Sequence, residues 1–150
     1  MSKEIKISND ILDVTLSTQG AEIISVKKGG EELIWQADPA VWKCHAPLLF
    51  PICGGLKEDR FIYGGKSYTL PKHGFARALE YEPEAVTASS AVFLLKSDAE
   101  TRKSYPFDFE LRVIYELIGN ELDVTYKVKN TTDGDMYFSI GSHEAYSCPN

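Results

Sequence analysis

The stretch FDFELRVIYEL, residues 107–117, decides the fold class of this 150-residue chain. Every odd position in it is apolar, and every even position except Ile114 is charged. Residues 122–129, LDVTYKVK, repeat this alternation, and Gly119 and Asn120 between the two runs are typical turn residues. A period of two with one apolar face and one polar face predicts a long β-hairpin that packs on a core.

Shorter runs of strand character extend outward from this hairpin through the rest of the chain. They cover residues 4–7, 12–17, 22–27, 33–35, 61–63, 67–70, 79–82, 91–96 and 136–140. Helical signals are few: residues 38–42 fit a single turn, and Ser97 with Glu100 resembles a capping box that Pro106 keeps short. Many short strands separated by turn residues predict an all-β fold, an antiparallel β-sandwich, with one domain over residues 1–150.

Composition narrows the classes of partner that the protein has. Its hydrophobic content of 43% and charged content of 25% are those of a globular protein. The net charge of −6 and the scattered Lys and Arg residues argue against a nucleic-acid partner and against an anionic membrane surface. No apolar run approaches the ~18 residues of a membrane span.

The cysteines and the first residues indicate the compartment. The chain has 3 cysteines, far apart and without C-x-x-C spacing, so neither a zinc site nor a disulfide framework is expected. Residues 1–4 lead directly into alternating residues rather than into the apolar core of a signal peptide. We therefore expect a cytoplasmic protein with reduced thiols, without a metal or another cofactor.

Residues 42–77 depart from the pattern of strands and tight turns, and their glycines, prolines and ionisable groups suit a loop-borne site on a rigid sheet. His73 precedes a glycine that would leave the backbone open to a ligand, although a simple turn explains the pair equally well. His143 follows Gly141 and Ser142 near the end of a predicted strand. His45, between a cysteine and Ala-Pro, is more simply explained as a packed loop residue.

Other polar and aromatic residues leave several chemistries open. Arg60 lies in a charge run typical of solvated surface, and the role of Arg77 is ambiguous. Trp42 is an aromatic side chain that is able to stack on a sugar ring, with core packing as the alternative. The sequence has no G-x-S-x-G nucleophile elbow, and Gly54 and Gly55 lack the following residues of a phosphate-binding loop.

Three segments together resemble the aldose 1-epimerase (galactose mutarotase-like) family, especially its LacX-type branch. They are LSTQGAEIISVKKGGEELIWQ (residues 16–36), WQADPAVWKCHAPLLFPICGGLKEDRFIYGGKSYTLPKHGFAR (35–77) and FSIGSHEAYSCPN (138–150). The resemblance covers nearly the whole chain, with the motifs in the family's order. It implies a fold that is part of a large β-supersandwich.

The resemblance also implies a reaction, the interconversion of the α and β anomers of a free aldose by acid–base ring opening. His143 matches the histidine that acts as acid toward the ring oxygen, and His73 matches a histidine that hydrogen-bonds the sugar. Arg60, Arg77 and Trp42 are then the expected substrate-binding residues. An imidazole titrates near neutrality, which suits it to donating and recovering a proton.

The chain departs from the family pattern in three respects. Gly55 stands where close relatives usually have an arginine, and Arg60 is the candidate to replace it. Glu144 stands where this branch often has proline, and its carboxylate would either raise the pKa of His143 or face water. The family's general base is a glutamate near the far C-terminus, which no residue here matches.

These departures leave more than one function open. We expect an incomplete mutarotase-like domain with weak or no activity by itself. The alternatives are a non-catalytic carbohydrate-binding or self-associating module, whose homo-oligomer covers exposed strand edges, and a protein acting on hexose 6-phosphates. The last would require basic residues to converge on the phosphate, and Arg60, Arg77 and Lys72 are the candidates.

Overall fold

A computed structural model of the protein describes residues 2–148. Within that range twelve strands follow one another along the chain. They are β1 (Glu4–Ser8), β2 (Leu12–Ser17), β3 (Ile23–Lys28), β4 (Glu31–Glu32), β5 (Leu48–Leu49), β6 (Arg60–Tyr63), β7 (Lys66–Thr69), β8 (Glu82–Val86), β9 (Ser90–Lys96), β10 (Phe109–Ile118), β11 (Glu121–Asn130) and β12 (Gly141–Ser142). The helical elements are one turn of α-helix, α1 (Thr101–Ser104), and 3-10 turns at Lys57–Asp59 and Ala76–Ala78. The predicted all-β class is confirmed.

Two four-stranded antiparallel sheets form the body of the molecule, in the orders β1-β2-β3-β4 and β11-β10-β9-β8. Two small sheets, β12-β5 and β6-β7, lie beside them. The buried faces of both large sheets contribute to one hydrophobic cluster, as in a sandwich. Tyr115 of β10 connects its sheet with the turn between β2 and β3, because its buried hydroxyl donates a hydrogen bond of 2.6 Å to the carbonyl of Ala21.

The long hairpin forms as its alternation predicts. Its register runs without a shift from Phe109 opposite Asn130 to Ile118 opposite Glu121, which leaves a two-residue loop. Gly119 takes φ +61° at the first position of that loop, a conformation that glycine adopts without penalty. All odd residues of β10 are buried, and burying each large apolar side chain stabilises the fold by roughly 1.5–3 kcal/mol.

In the part of the chain that the structure describes, β11 pairs with another strand, β10, along one edge only. It is an end strand of its sheet among residues 2–148, and its inward-facing side chains are only half-buried, unlike those of β10. These side chains are Leu122, Val124, Tyr126 and Val128. A ten-residue edge strand with a partly open apolar face is a surface that proteins normally cover.

The predicted strand at 136–140 is wrong, because these residues form no ladder. The amide of Ser139 donates to the carbonyl of Pro51 at 2.9 Å, but a proline has no N–H to return the bond. Pairing with β5 begins only afterwards, at Gly141 and Ser142.

Two other predicted strands differ from the structure, one reduced to a bridge and one displaced. Residues 33–35 contribute a single bridge, Ile34 opposite Tyr146, rather than a strand. The strand predicted at 79–82 begins at Glu82 and continues to Val86, because Glu80 and Tyr81 bond to the segment after β2, at Gln19 and Thr18, before pairing with β9 begins.

The weak helical signals gave two short turns. The amides of Val41 and Trp42 both donate to the carbonyl of Asp38, which completes the single turn expected there. In α1 the capping residue is Asp98 rather than Ser97. Asp98 Oδ1 accepts hydrogen bonds from the amides of Glu100 and Thr101, at 2.9 and 2.8 Å.

Candidate functional site

The segment before β8 folds back onto Phe50, the residue that follows β5, through a close backbone contact. Gly74 takes φ +68°, and a Cβ at this position would lie 2.2 Å from the carbonyl oxygen of Phe50. Only glycine fits such an approach. The amides of Phe75 and Ala76 donate to the same carbonyl at 3.1 and 3.2 Å, which fixes the preceding residue, His73, beside the strand.

His73 is held by two hydrogen bonds to one glycine. Its amide donates to the carbonyl of Gly54 at 2.7 Å, and the amide of Gly54 donates to Nδ1 of the imidazole at 3.0 Å. Because Nδ1 accepts a bond, the proton of the neutral ring is on Nε2. His73 therefore presents Nε2–H as a donor.

The surroundings of His73 favour its neutral form. Burial is the largest cause that lowers its pKa, and electrostatic repulsion from Lys72, Arg77 and His143 lowers it further. The neutral imidazole keeps its bond from Gly54, which an imidazolium would lose. This histidine is suited to hydrogen bonding at neutral pH.

His143 reaches the same region from the other end of the chain. β12 pairs with β5, with Gly141 opposite Leu49 and Ser142 opposite Leu48. The ladder continues for one more bond, from the amide of His143 to the carbonyl of Pro47 at 3.1 Å. The exposed imidazole lies 5.0 Å from the ring of Trp42, centroid to centroid, with the planes at 44°.

These elements enclose a pocket of about 330 Å³. Its lining residues are Trp42, Pro47, Leu49, Lys72, His73, Arg77 and His143. The pocket therefore brings together four of the five predicted site residues, the two histidines with Trp42 and Arg77. Its volume falls within the roughly 300–1,000 Å³ of small-molecule sites.

Arg60, the fifth predicted site residue, does not line this pocket. It is the exposed first residue of β6, opposite Thr69 of β7. His45 also lies outside, and its backbone is bonded on both sides, to Glu22 and to Ala145. This agrees with the packed loop role expected for His45.

The charge of the pocket is positive although the protein is acidic. Its charged lining residues are Lys72 and Arg77, and no carboxylate of the described residues lines it. Neither cation takes part in an ion pair found within residues 2–148, and Arg77 Nη2 donates instead to the carbonyl of Lys72 at 3.3 Å. Lys72, which the sequence offers only as a candidate for binding a phosphate group, joins these residues, because its side chain lines the pocket with the two histidines.

The structure describes the surroundings of two residues at which the sequence departs from the expected family pattern. A Cβ at Gly55, where the resemblance predicts an arginine, would meet only the side chain of Lys72, at 3.8 Å from Cγ. Glu144, the other such residue, is half-buried and acts electrostatically on Tyr126 and Tyr115. Burial is the main cause that raises the pKa of both tyrosines, and the negative charge of Glu144 raises both further.

Residues 2–148 contain no group of three or more His, Cys, Asp or Glu side chains arranged to hold a metal ion. Cys44, Cys53 and Cys148 are free thiols. None of the helices in the described part of the chain is long and apolar enough to cross a membrane.

The antiparallel sandwich and the two-histidine pocket define an all-β protein with a polar site built on loops. The chain belongs to the aldose 1-epimerase family, whose model matches residues 3–150. It is 40% identical over 152 residues to protein LacX of Lactococcus lactis subsp. lactis, covering 97% of this chain and 51% of LacX. A protein of Salmonella typhimurium, provisionally named glucose-6-phosphate 1-epimerase, is 29% identical over 148 residues, covering 91% of this chain and 48% of that protein.

Solved structures agree with this assignment. A galactose mutarotase related enzyme from Lactobacillus acidophilus is 47% identical with a TM-score of 0.97, covering 99% of this chain and 50% of that one. A galactose mutarotase-like protein from Lactobacillus casei is 34% identical with a TM-score of 0.93, covering 96% of this chain and 50% of that one. The chain thus spans about half the length of the relatives it matches.

Proposed function

We propose that this chain provides the acid side and part of the sugar cleft of an aldose 1-epimerase. The observation that carries the proposal is that His73 and His143 line one pocket with an aromatic ring, Trp42. Imidazoles that exchange protons near neutrality, a stacking surface and hydrogen-bond donors match the needs of a pyranose whose ring must open.

In the proposed reaction, a general base removes the proton of the C1 hydroxyl while His143 protonates the ring oxygen. The bond between C1 and the ring oxygen breaks, and the C1 oxygen becomes the carbonyl of an open-chain aldehyde. Rotation about the C1–C2 bond and closure by the reverse proton transfers give the other anomer. His73 donates from Nε2 to the sugar near that ring oxygen, consistent with the tautomer set by Gly54.

The general base comes from a further portion, equivalent to the remaining half of the relatives. No Asp or Glu of the described residues lines the pocket, which supports this division. The half-open apolar face of β11 supports it too, because a second portion packed there would cover that face. The two portions together make up one mutarotase-like domain.

Polarimetry on freshly dissolved α-galactose or α-glucose tests this function. With the 150-residue chain, mutarotation is expected to be no faster than the spontaneous reaction in solvent. Fused to the remaining half of the Lactobacillus acidophilus relative, it should catalyse mutarotation, and His143→Ala should reduce that rate by about 10²–10⁴. His45→Ala is the matched control, since this third histidine lies outside the pocket.

Two results would contradict the proposal. One is a folded fusion protein without turnover. The other is a fast reaction by the 150-residue chain that disappears in His143→Ala, which would place the general base within this chain.

A hexose 6-phosphate is the second candidate substrate, and Lys72 and Arg77 favour it, because neither cation has an ion pair within residues 2–148. The name of the Salmonella relative agrees with this possibility. Titration calorimetry should then show tighter binding of glucose 6-phosphate than of glucose, and Lys72→Met should abolish the difference. Equal affinities in the unaltered protein would exclude it.

A non-catalytic role is the remaining alternative, as a sugar-binding or self-associating module in the cytoplasm. The open edge of β11 favours self-association. Light scattering should then report an oligomer that Val124→Lys dissociates. Thr125→Lys, on the outer face of the same strand, should not. A monomer at all concentrations would exclude the self-associating module.

A further inference from the structure

Glu22 is a half-buried carboxylate outside the pocket, and its contacts lead toward the pocket. Its Oε1 accepts two hydrogen bonds of 2.9 Å, from the successive amides of His45 and Ala46. Two adjacent amides that converge on one anion fix the backbone that carries them. The fixed backbone leads directly into β5.

The same backbone sets the position of His143. The carbonyl of His45 accepts from the amide of Ala145 at 3.0 Å, and the carbonyl of Pro47 accepts from the amide of His143 at 3.1 Å. Residues 45–47 therefore bond to Glu22 through their amides and to the segment of His143 through their carbonyls. A displacement of residues 45–47 would move His143 with them.

The turn that carries Glu22 is itself anchored in the core. The preceding residue, Ala21, is buried, and its carbonyl accepts the hydrogen bond from Tyr115. Gly20 lies close to the backbone of Arg77, a residue that lines the pocket, since a Cβ at Gly20 would lie 2.8 Å from the carbonyl oxygen of Arg77. Gly20 also donates to the carbonyl of Leu79 at 2.8 Å. One turn thus connects the core with both segments that carry the pocket.

We propose that Glu22 is a positioning residue of the site, which orients His143 against Trp42 by holding the amides of His45 and Ala46. It does not line the pocket, so it acts through the backbone rather than on the substrate. The inference rests on the proposed function of His143, but its test does not use turnover.

Proton and carbon NMR of protein labelled at the histidine rings tests this inference, because the chain has 3 histidines and gives three sets of ring signals. The Trp42→Ala variant serves as the reference, because its His143 signal lies where it would be without the ring current of the indole. Glu22→Met, which is similar in length but has no acceptor, should shift the His143 signal most of the way toward that position. The His73 signal should stay in place.

Two further variants make the comparison specific. Glu22→Gln keeps an oxygen acceptor, so the His143 signal should return close to its original position. Asp98→Ala removes a carboxylate that also holds two successive amides, but in α1, and should leave His143 unchanged. Equal His143 signals in the methionine variant and the unaltered protein, or equal shifts in the methionine and glutamine variants, would overturn the inference.

Hydrogen exchange in the unaltered protein decides the case if Glu22→Met does not fold. The amides of His45 and Ala46 should exchange far more slowly than the amide of Lys43, an exposed residue of the same loop. Exchange at the rate of Lys43 would show that Glu22 does not hold them and would overturn the inference. Catalytic failure of the fusion protein with these NMR results intact would count against the proposed function alone.

Discussion

The imidazole of His143 lies against the indole of Trp42, 5.0 Å between ring centroids, although the two residues are 101 positions apart. The contact joins the loop before β5 to the segment after β12. In the proposed function, His143 exchanges the proton and Trp42 offers an apolar face to the sugar.

Removal of Trp42 should weaken sugar binding without unfolding the protein. Aromatic contacts contribute about 0.5–1.5 kcal/mol, so Trp42→Ala should raise the Kd for galactose roughly tenfold at most. Titration calorimetry measures this. Val41→Ala is the matched control, because Val41 is 74% exposed and does not line the pocket. Equal Kd values for both variants would show that the indole makes no contact with the sugar.

Stability should fall in acid partly because of His73. Its pKa is lower in the folded protein than in the unfolded chain, so the unfolded chain binds more protons as the pH drops below about 6.5. The free energy of unfolding should therefore decrease between about pH 7.5 and about pH 5.5. His73→Asn, which tolerates the left-handed backbone at φ +69°, should lose that part of the decrease. Identical urea midpoint changes in both proteins would contradict the assignment.

Lys72 should contribute measurably to the electrostatics of the pocket. Its charge is one of the causes that lower the pKa of His73, so Lys72→Met should raise that pKa. An NMR titration of the histidine signals reports the change. Lys66→Met, an exposed residue of β7, should leave the titration curve of His73 unmoved. A lower pKa in Lys72→Met would reverse the sign expected here.

The close approach at Gly74 should make this residue irreplaceable. Gly74→Ala adds a clash with Phe50 to the cost of a left-handed backbone, and the free energy of unfolding should fall by about 3 kcal/mol or more. Gly64 also has a positive φ, +55°, but a Cβ there would have no atom within 4 Å. Gly64→Ala should therefore lower the free energy of unfolding by only about 1–2 kcal/mol. Urea denaturation compares them. Similar losses would show that the contact with Phe50 is relaxed in solution.

The sequence predicted the features that depend on local pattern. Strict alternation over residues 107–117 and 122–129 was sufficient for the hairpin, because a one-residue slip would turn its apolar side chains toward water. The same reasoning failed at 136–140, where the outcome depended on a partner segment. Pro51 in that segment has no N–H to return the bond from Ser139.

The site was predictable only in part, for a related reason. His73, His143, Trp42 and Arg77 stand in segments whose motifs resemble a known family, and the fold brings them together. The approach of Lys72 to Gly55 and the hydrogen bonds of Glu22 to the amides of His45 and Ala46 join segments that are distant in the chain, and no spacing along the sequence encodes them. The Gly74 turn and the ladder between β5 and β12 have to form before these contacts exist.

A sugar titration followed at the histidine rings tests most directly whether two histidines serve one ligand. With galactose or glucose 6-phosphate added to the labelled 150-residue chain, the signals of His73 and His143 should shift along curves with one common Kd. The His45 signal should not move. Shifts of only one of the two rings, or shifts with two different Kd values, would contradict a single shared site.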